Sequence, residues 1–176
     1  MPAVRLYHDN VLAKQTGCGR TPWHFDDHHF PLDTNDVVTA WIPAQPIPLE
    51  MGPLSFAYPL DVHKLVNAVT FEKTGTGYDR RVSEVFLKNN VSVNETPFEL
   101  GEVSFHHNLN FHTASSNRTN RSRVALANTY YRDGARVVHA PTMVSGDWQK
   151  FMPNVKPGDI AASPLNPICW PVKNKP

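Results

Sequence analysis

The sequence has no excess of charge of one sign and no long hydrophobic run. Its 17 Lys and Arg residues face 16 Asp and Glu residues, which gives a formal net charge of +1. Such a balance argues against a general binder of nucleic acid or membrane surfaces. No apolar run approaches the roughly 20 residues that span a bilayer, and the stretch Met1–Asp9 is too polar for a secretory signal. We therefore expect a cytoplasmic protein that binds neither nucleic acid nor membrane.

Cysteine is scarce, whereas proline and glycine are frequent. Cys18 and Cys169 are the only two cysteines, so we expect free thiols in a reducing compartment and no disulfide framework. The 16 prolines and nine glycines interrupt the chain every several residues. This spacing disfavours long helices and favours short strands joined by turns.

Most segments between these interruptions are rich in β-forming residues. Helices are predicted only at Asp61–Val69, with Asp61 as N-cap, and at Tyr78–Lys88, and the tail from Ala140 is predicted to form loops. The pattern indicates an all-β fold with minor helices, a double-stranded β-helix or jelly roll of the cupin-like kind, in one domain over residues 1–176. The predicted strands are Val4–Lys14, Trp23–Phe30, Asp36–Ala44, Leu54–Tyr58, Thr96–Leu100, Glu102–His107 and Arg121–Tyr131.

A candidate metal site begins with His24 and Asp26. On the predicted strand these two residues would point to the same face, because side chains alternate along a strand. Two imidazoles and one carboxylate are the ligands of the facial triad that binds non-haem Fe(II). His112 is the preferred third ligand, and His106 and His107 are the alternatives.

Four motifs together resemble the phytanoyl-CoA dioxygenase family, whose members are Fe(II)- and 2-oxoglutarate-dependent oxygenases. The resemblance runs from about residue 7 to about residue 131. The motifs are Trp23-His24-x-Asp26, Gly52-Pro53-Leu54, Gly101-Glu102-Val103-x-Phe105-His106 and His112-x-x-Ser115-x-Asn117-x-Thr119-x-x-x-Arg123.

The resemblance implies an iron ion bound by His24, Asp26 and His112. It also implies that Arg123 binds the distal carboxylate of 2-oxoglutarate, a role for which a bidentate, permanently charged guanidinium is suited. Arg121 is the alternative, because the predicted strand places it on the same face as Arg123.

The implied reaction is hydroxylation of a small-molecule substrate by molecular oxygen, with succinate and carbon dioxide as co-products. Halogenating relatives replace the carboxylate ligand with a small residue, so Asp26 favours hydroxylation. Desaturation or ring formation at the same centre is one alternative, and a cupin-like enzyme that does not use 2-oxoglutarate is a second. The third is a non-catalytic or truncated jelly-roll module that binds metal or ligand.

The sequence departs from the family pattern in two places. Ala114 stands where the family often has a hydroxyl residue that contacts the co-substrate, although Thr113 and Ser115 flank it. The domain is also short at its N-terminus relative to the family, since 23 residues precede the first ligand. Outside the motifs, we expect Lys14 to be exposed, with contact to the co-substrate or to an anionic substrate as the alternative, and His8 to lie on the surface.

Overall fold

The computed structural model describes residues 3–70 and 76–171. This part of the chain consists mainly of antiparallel strands, with two α-helices and four short 3-10 helices. The helices are α1 (Val62–Leu65) and α2 (Gly77–Lys88). The strands are β1 (Val4–Lys14), β2 (Thr21–His24), β3 (Val37–Pro43), β4 (Leu54–Tyr58), β5 (Ser92–Glu95), β6 (Ser104–His107), β7 (His112–Ala114), β8 (Arg123–Arg132) and β9 (Ile168–Trp170).

Two antiparallel sheets form the body of the fold. The larger sheet has the strand order β6-β3-β8-β1-β9, and the smaller has the order β2-β7-β4-β5. The β1–β8 ladder runs from Val4 opposite Arg132 to Lys14 opposite Arg123, with an irregularity between Leu6 and His8. The predicted all-β jelly roll is therefore confirmed.

The core between the sheets follows from strict alternation along β8. Every second residue from Arg123 to Tyr131 is buried, whereas the residues between them are partly exposed, as expected for a strand with one face on a core. Trp41 of β3 lies on the same inner face, and its ring packs against Phe98 at a centroid distance of 5.1 Å. This side of the larger sheet faces the interior in which the candidate site lies.

Both helices pack on the outer side of the smaller sheet. Tyr78, Val82 and Phe86 form the buried face of α2 at a spacing of four residues, and they join a cluster with Trp23 and Phe111. Burying this apolar face stabilises a helix that is otherwise polar. Within the described residues, no helix has both the length and the apolar character needed to cross a membrane.

Two predicted strands are wrong. The segment Trp23–Phe30 forms strand only to His24 and then turns into a 3-10 helix at Asp27–His29. The segment Thr96–Leu100 makes a single bridge, between Phe98 and Ile47, because Pro97 has no N–H to donate to a ladder. The sequence reading also missed β5, whose four residues are all exposed, and β9 in the tail.

Candidate functional site

Three side chains converge at the interior edge of the smaller sheet. Nε2 of His24 lies 3.6 Å from Oδ1 of Asp26, and Nε2 of His112 lies 3.8 Å from the same oxygen. One ligand atom from each of the three residues lies within 4.8 Å of the others. The structure thus brings together the three residues predicted as metal ligands.

Backbone carbonyls fix the orientation of both imidazoles. Nδ1 of His24 donates to the carbonyl of Pro22 at 2.8 Å, and Nδ1 of His112 donates to the carbonyl of Asn110 at 2.9 Å. In both rings the proton on Nδ1 leaves the lone pair of Nε2 facing Asp26, which is the tautomer that a metal ligand needs.

Asp26 reaches this position through a turn and not through strand alternation. Its backbone is in the right-handed helical region and caps the 3-10 helix that follows. The carbonyl of Asn108 accepts hydrogen bonds from the backbone N–H groups of Asp26 and Asp27, and the Asn108 amide donates to the Asp27 carboxylate at 2.8 Å. The loop after β6 therefore holds the turn that carries the carboxylate.

The site keeps the carboxylate charged and the imidazoles neutral. Burial, with His24 beside it, lowers the pKa of His112 to about 3, and burial also lowers the pKa of His24. Burial acts to raise the pKa of Asp26, but the adjacent imidazoles, His112 foremost, outweigh it and hold that pKa below its ordinary value. A neutral imidazole and an ionised carboxylate are the forms that bind a metal ion.

The other two histidines considered as ligands have different surroundings. His106 is buried on β6, and its Nε2 lies 3.7 Å from Oδ2 of Asp26, the oxygen that does not face His24 and His112. His107 follows on the opposite face of the strand, where its Nδ1 accepts a hydrogen bond from the backbone of Leu109. His106 is thus an outer neighbour of the carboxylate.

A cavity of about 310 Å³ connects the three side chains with Arg123. Arg123 is buried, its guanidinium lies 5.4 Å from the centroid of the Trp41 ring, and Nη1 donates to the carbonyl of Gly52 at 2.5 Å. Its Nε has no hydrogen-bond partner. Within residues 3–70 and 76–171, no carboxylate pairs with this guanidinium, so the cavity ends in a buried positive charge.

Two motif residues position Arg123. Gly52 has a φ of +74°, and a Cβ there would lie 2.2 Å from the carbonyl oxygen of Ser115, so only glycine allows this close approach. The buried Asn117 amide donates to the carbonyls of Lys14 and Arg121. These contacts fix the loop that enters β8. Arg121 itself is exposed and precedes the strand, so the prediction that it shares a face with Arg123 is wrong.

Lys14 was expected to be exposed, which is wrong, and His8 was expected at the surface but is half-buried. Lys14 is buried directly opposite Arg123, and its ammonium donates to the carbonyls of Ala114 and Ser115 at 3.2 and 2.8 Å. Burial, together with the charge of Arg123, lowers the pKa of Lys14 to about 8. His8 and Asn10 line the cavity. The alternation of β1 places His8, Asn10 and Lys14 on one face, opposite the inner face of β8, so the spacing of these three residues was a signal for this arrangement.

The hydroxyl groups beside Ala114 already have partners. The Thr113 hydroxyl donates to the carbonyl of Thr21 at 2.5 Å, and the Ser115 hydroxyl donates to the Glu95 carboxylate at 3.0 Å. Ala114 lines the cavity together with Thr113.

The fold and site define a class of protein, a jelly roll with an interior His-Asp-His cluster and a buried cation across the cavity. The chain matches the phytanoyl-CoA dioxygenase (PhyH) family over residues 2–125. Because this match covers most of the sequence, the chain belongs to that family. Among curated proteins, none matches the chain at a significant level.

Several solved structures share the fold. The non-heme alpha ketoglutarate dependent carbocyclase SnoK from nogalamycin biosynthesis has a TM-score of 0.72 and 24% identity, over 95% of this chain and 62% of that one. The epimerase SnoN, in complex with Fe3+, alpha ketoglutarate and nogalamycin RO, has a TM-score of 0.71 and 22% identity, over 94% and 65%. The non-heme monooxygenase ThoJ has a TM-score of 0.56 and 16% identity, over 80% and 50%. This chain thus spans between half and two thirds of the length of these structures.

Proposed function

We propose that this chain is an Fe(II)- and 2-oxoglutarate-dependent oxygenase domain that acts on a small molecule. One observation carries the proposal: a single cavity reaches both the His24, Asp26 and His112 cluster and the buried guanidinium of Arg123. A metal ion at one end and a cation at the other match the two ends of a chelating dicarboxylate. A cupin-like metalloenzyme that does not use 2-oxoglutarate would not require a buried arginine at the position of Arg123.

The donor set fits ferrous iron. Two neutral imidazoles with their lone pairs directed at one carboxylate oxygen form the set that binds non-haem Fe(II) and leaves open positions. In this proposal His24, Asp26 and His112 hold the metal, which when bound supplies the activation of dioxygen coupled to conversion of 2-oxoglutarate into succinate and carbon dioxide. Halogenating relatives have a small residue at the position of Asp26, so that chloride can bind in place of the carboxylate.

The other residues of the cavity bind the co-substrate and keep water out. Arg123 can donate two parallel hydrogen bonds to the distal carboxylate, and the Lys14 ammonium beside it adds a second positive charge. Trp41, Leu54 and Ala127 supply apolar walls, which strengthen these charge interactions because they lower the local polarity.

Hydroxylation of a C–H bond is the reaction we propose, because Asp26 is retained. Among the solved structures with this fold are a carbocyclase and an epimerase, so ring formation or epimerisation at the same centre is the second candidate. A non-catalytic module that binds metal or ligand is the candidate from another class.

An anaerobic spectrum tests the proposal. Protein mixed with Fe(II) and 2-oxoglutarate under nitrogen should develop a weak visible charge-transfer band, and exposure to air should then yield succinate. A folded protein that develops no band would contradict the proposal. A band without any succinate would favour the non-catalytic module.

A further inference from the structure

A second and larger cavity lies beside the first. Its volume is about 490 Å³, within the range of about 300–1,000 Å³ usual for small-molecule sites, and it opens between β2, the helices and the chain near residue 144. Most of its wall is hydrocarbon or aromatic. Trp23, Phe25, Phe111, Val66, Val69 and Val144 contribute to it.

The two cavities share part of their walls. His24 and His29 line both of them, so a molecule in the second cavity would lie against the imidazole of a proposed iron ligand. The rings of Trp23 and Phe111, which also line the second cavity, are stacked at a centroid distance of 5.6 Å. A flat apolar body would find an aromatic surface there.

The outer wall of the second cavity is attached to the turn that carries Asp26. Val144 lies on the 3-10 helix Met143–Ser145, and its carbonyl accepts a hydrogen bond from Nδ1 of His29 at 3.2 Å. The Ser145 hydroxyl donates to the carbonyl of His28 at 3.5 Å. A ligand in this cavity would therefore contact a wall that is hydrogen-bonded to the turn that carries Asp26.

The second cavity is poor in charge. None of the described residues that line it is Lys, Arg, Asp or Glu. Tyr78 contributes a phenol, and burial, with Asp79 nearby, raises the pKa of Tyr78 to about 12, so the phenol is neutral at physiological pH. A ligand that carries phosphate groups would lose its hydration there, and the described wall offers imidazoles but no permanently charged cation to compensate the loss.

We infer that this second cavity binds the apolar body of the primary substrate, an uncharged and largely hydrocarbon or aromatic molecule, and not an acyl-coenzyme A. This inference rests on the proposed oxygenase function, because it identifies the molecule to be oxidised. The inferred substrate therefore differs from an acyl-coenzyme A thioester such as the one in the family's name.

Binding of N-phenyl-1-naphthylamine, a neutral aromatic probe whose fluorescence rises in apolar surroundings, tests the inference without any turnover. The wild-type chain should bind the probe, and Val144→Asp should weaken binding at least about tenfold because the new carboxylate would lose water on contact with it. Met143→Asp is the matched control. It places the same charge on the same turn at a side chain that is 99% exposed and does not line the cavity, and it should leave the affinity within about twofold.

Coenzyme A and the Fe(II)–2-oxoglutarate complex are used in two further measurements. Coenzyme A should not displace the probe, whereas the probe should shift the visible band of the Fe(II)–2-oxoglutarate complex. Displacement by coenzyme A, equal effects of the two Asp variants, or an unchanged band would each overturn the inference. If no band forms but the probe follows the predicted pattern, the oxygenase proposal fails while an apolar binding site remains, so the two failures are distinguishable.

Discussion

The two ends of the first cavity differ in how their charges are compensated. At the end where we propose a metal ion, the metal end, Asp26 faces His24, His106 and His112, and each of these rings lies within 4 Å of one of its oxygens. At the other end, Arg123 and Lys14 lie side by side, and no carboxylate of the described chain pairs with them. The charge of Asp26 is thus surrounded by imidazoles of the chain itself, whereas the second end, the cation end, is where we propose that the distal carboxylate of 2-oxoglutarate binds.

The two ends are also built differently. The metal end combines the end of β2, a 3-10 turn and β7, and its geometry depends on hydrogen bonds from Asn108 and two backbone carbonyls. The cation end uses regular strand register, with Lys14 opposite Arg123 in a long ladder. This difference predicts that changes at one end should leave binding at the other largely intact.

The largest effect is expected for loss of a proposed metal ligand. His112→Ala should weaken Fe(II) binding by more than about 100-fold, which is the upper end of the loss when a residue that only orients a metal ligand is removed. Calorimetric titration under nitrogen measures this loss. His107→Ala is the matched control, because His107 is on the opposite strand face. Equal losses in both variants would remove the distinction between the two histidines.

The next largest effect is expected at the cation end. Arg123→Leu should cost about 2–4 kcal/mol of 2-oxoglutarate affinity, roughly 30- to 1,000-fold, because the distal carboxylate loses its buried charge partner. Fe(II) affinity should remain unchanged in the same variant. Arg121→Leu should change neither value, since Arg121 is exposed; a loss of co-substrate affinity in Arg121→Leu alone would reassign the anchor.

His106 should have an intermediate influence confined to the metal end. His106→Asn removes the ring near Oδ2 of Asp26 and should weaken Fe(II) binding by about 10–100-fold, the range for partners that orient a ligand. Titration of the variant with 2-oxoglutarate at saturating metal should give the wild-type affinity. Complete loss of metal binding, with His112→Ala still competent, would make His106 the third ligand.

The smallest effect is a pH dependence that belongs to the cation end. The lowered pKa of Lys14, about 8, means that its ammonium loses its proton as the pH rises through this value, while 2-oxoglutarate remains a dianion. Affinity for the co-substrate should therefore fall above about pH 8, by at most about tenfold per pH unit because one proton is involved. Lys14→Met should bind more weakly and lose this dependence, and a dependence that persists in this variant would exclude Lys14 as its source.

The sequence predicted the fold and the convergence of His24, Asp26 and His112 better than it predicted the path of the chain between them. Long strands such as β1 and β8 were evident because their alternation extends over many residues. His24 and Asp26 were paired by strand spacing, yet Asp26 is placed by a helical turn that Asn108 holds from 82 positions away. Such a long-range hydrogen bond leaves no local pattern.

Burial of polar residues was the least predictable feature. Lys14 appears as an ordinary strand lysine until β8 places Arg123 opposite it and the chain near Ser115 covers it. His8 lies in the cavity because it alternates in unbroken register with Asn10 and Lys14 and pairs with Thr129 on the inner face of β8. Both outcomes depend on the partner strand, which the local sequence does not specify.

A crystal grown without oxygen in the presence of Mn(II), as a redox-inert substitute for iron, and 2-oxoglutarate tests the central claim most directly. The account predicts an anomalous peak bonded to Nε2 of His24, a carboxylate oxygen of Asp26 and Nε2 of His112, with the distal carboxylate of the co-substrate on Arg123. A metal bound elsewhere, or a dicarboxylate that does not contact Arg123, would contradict it.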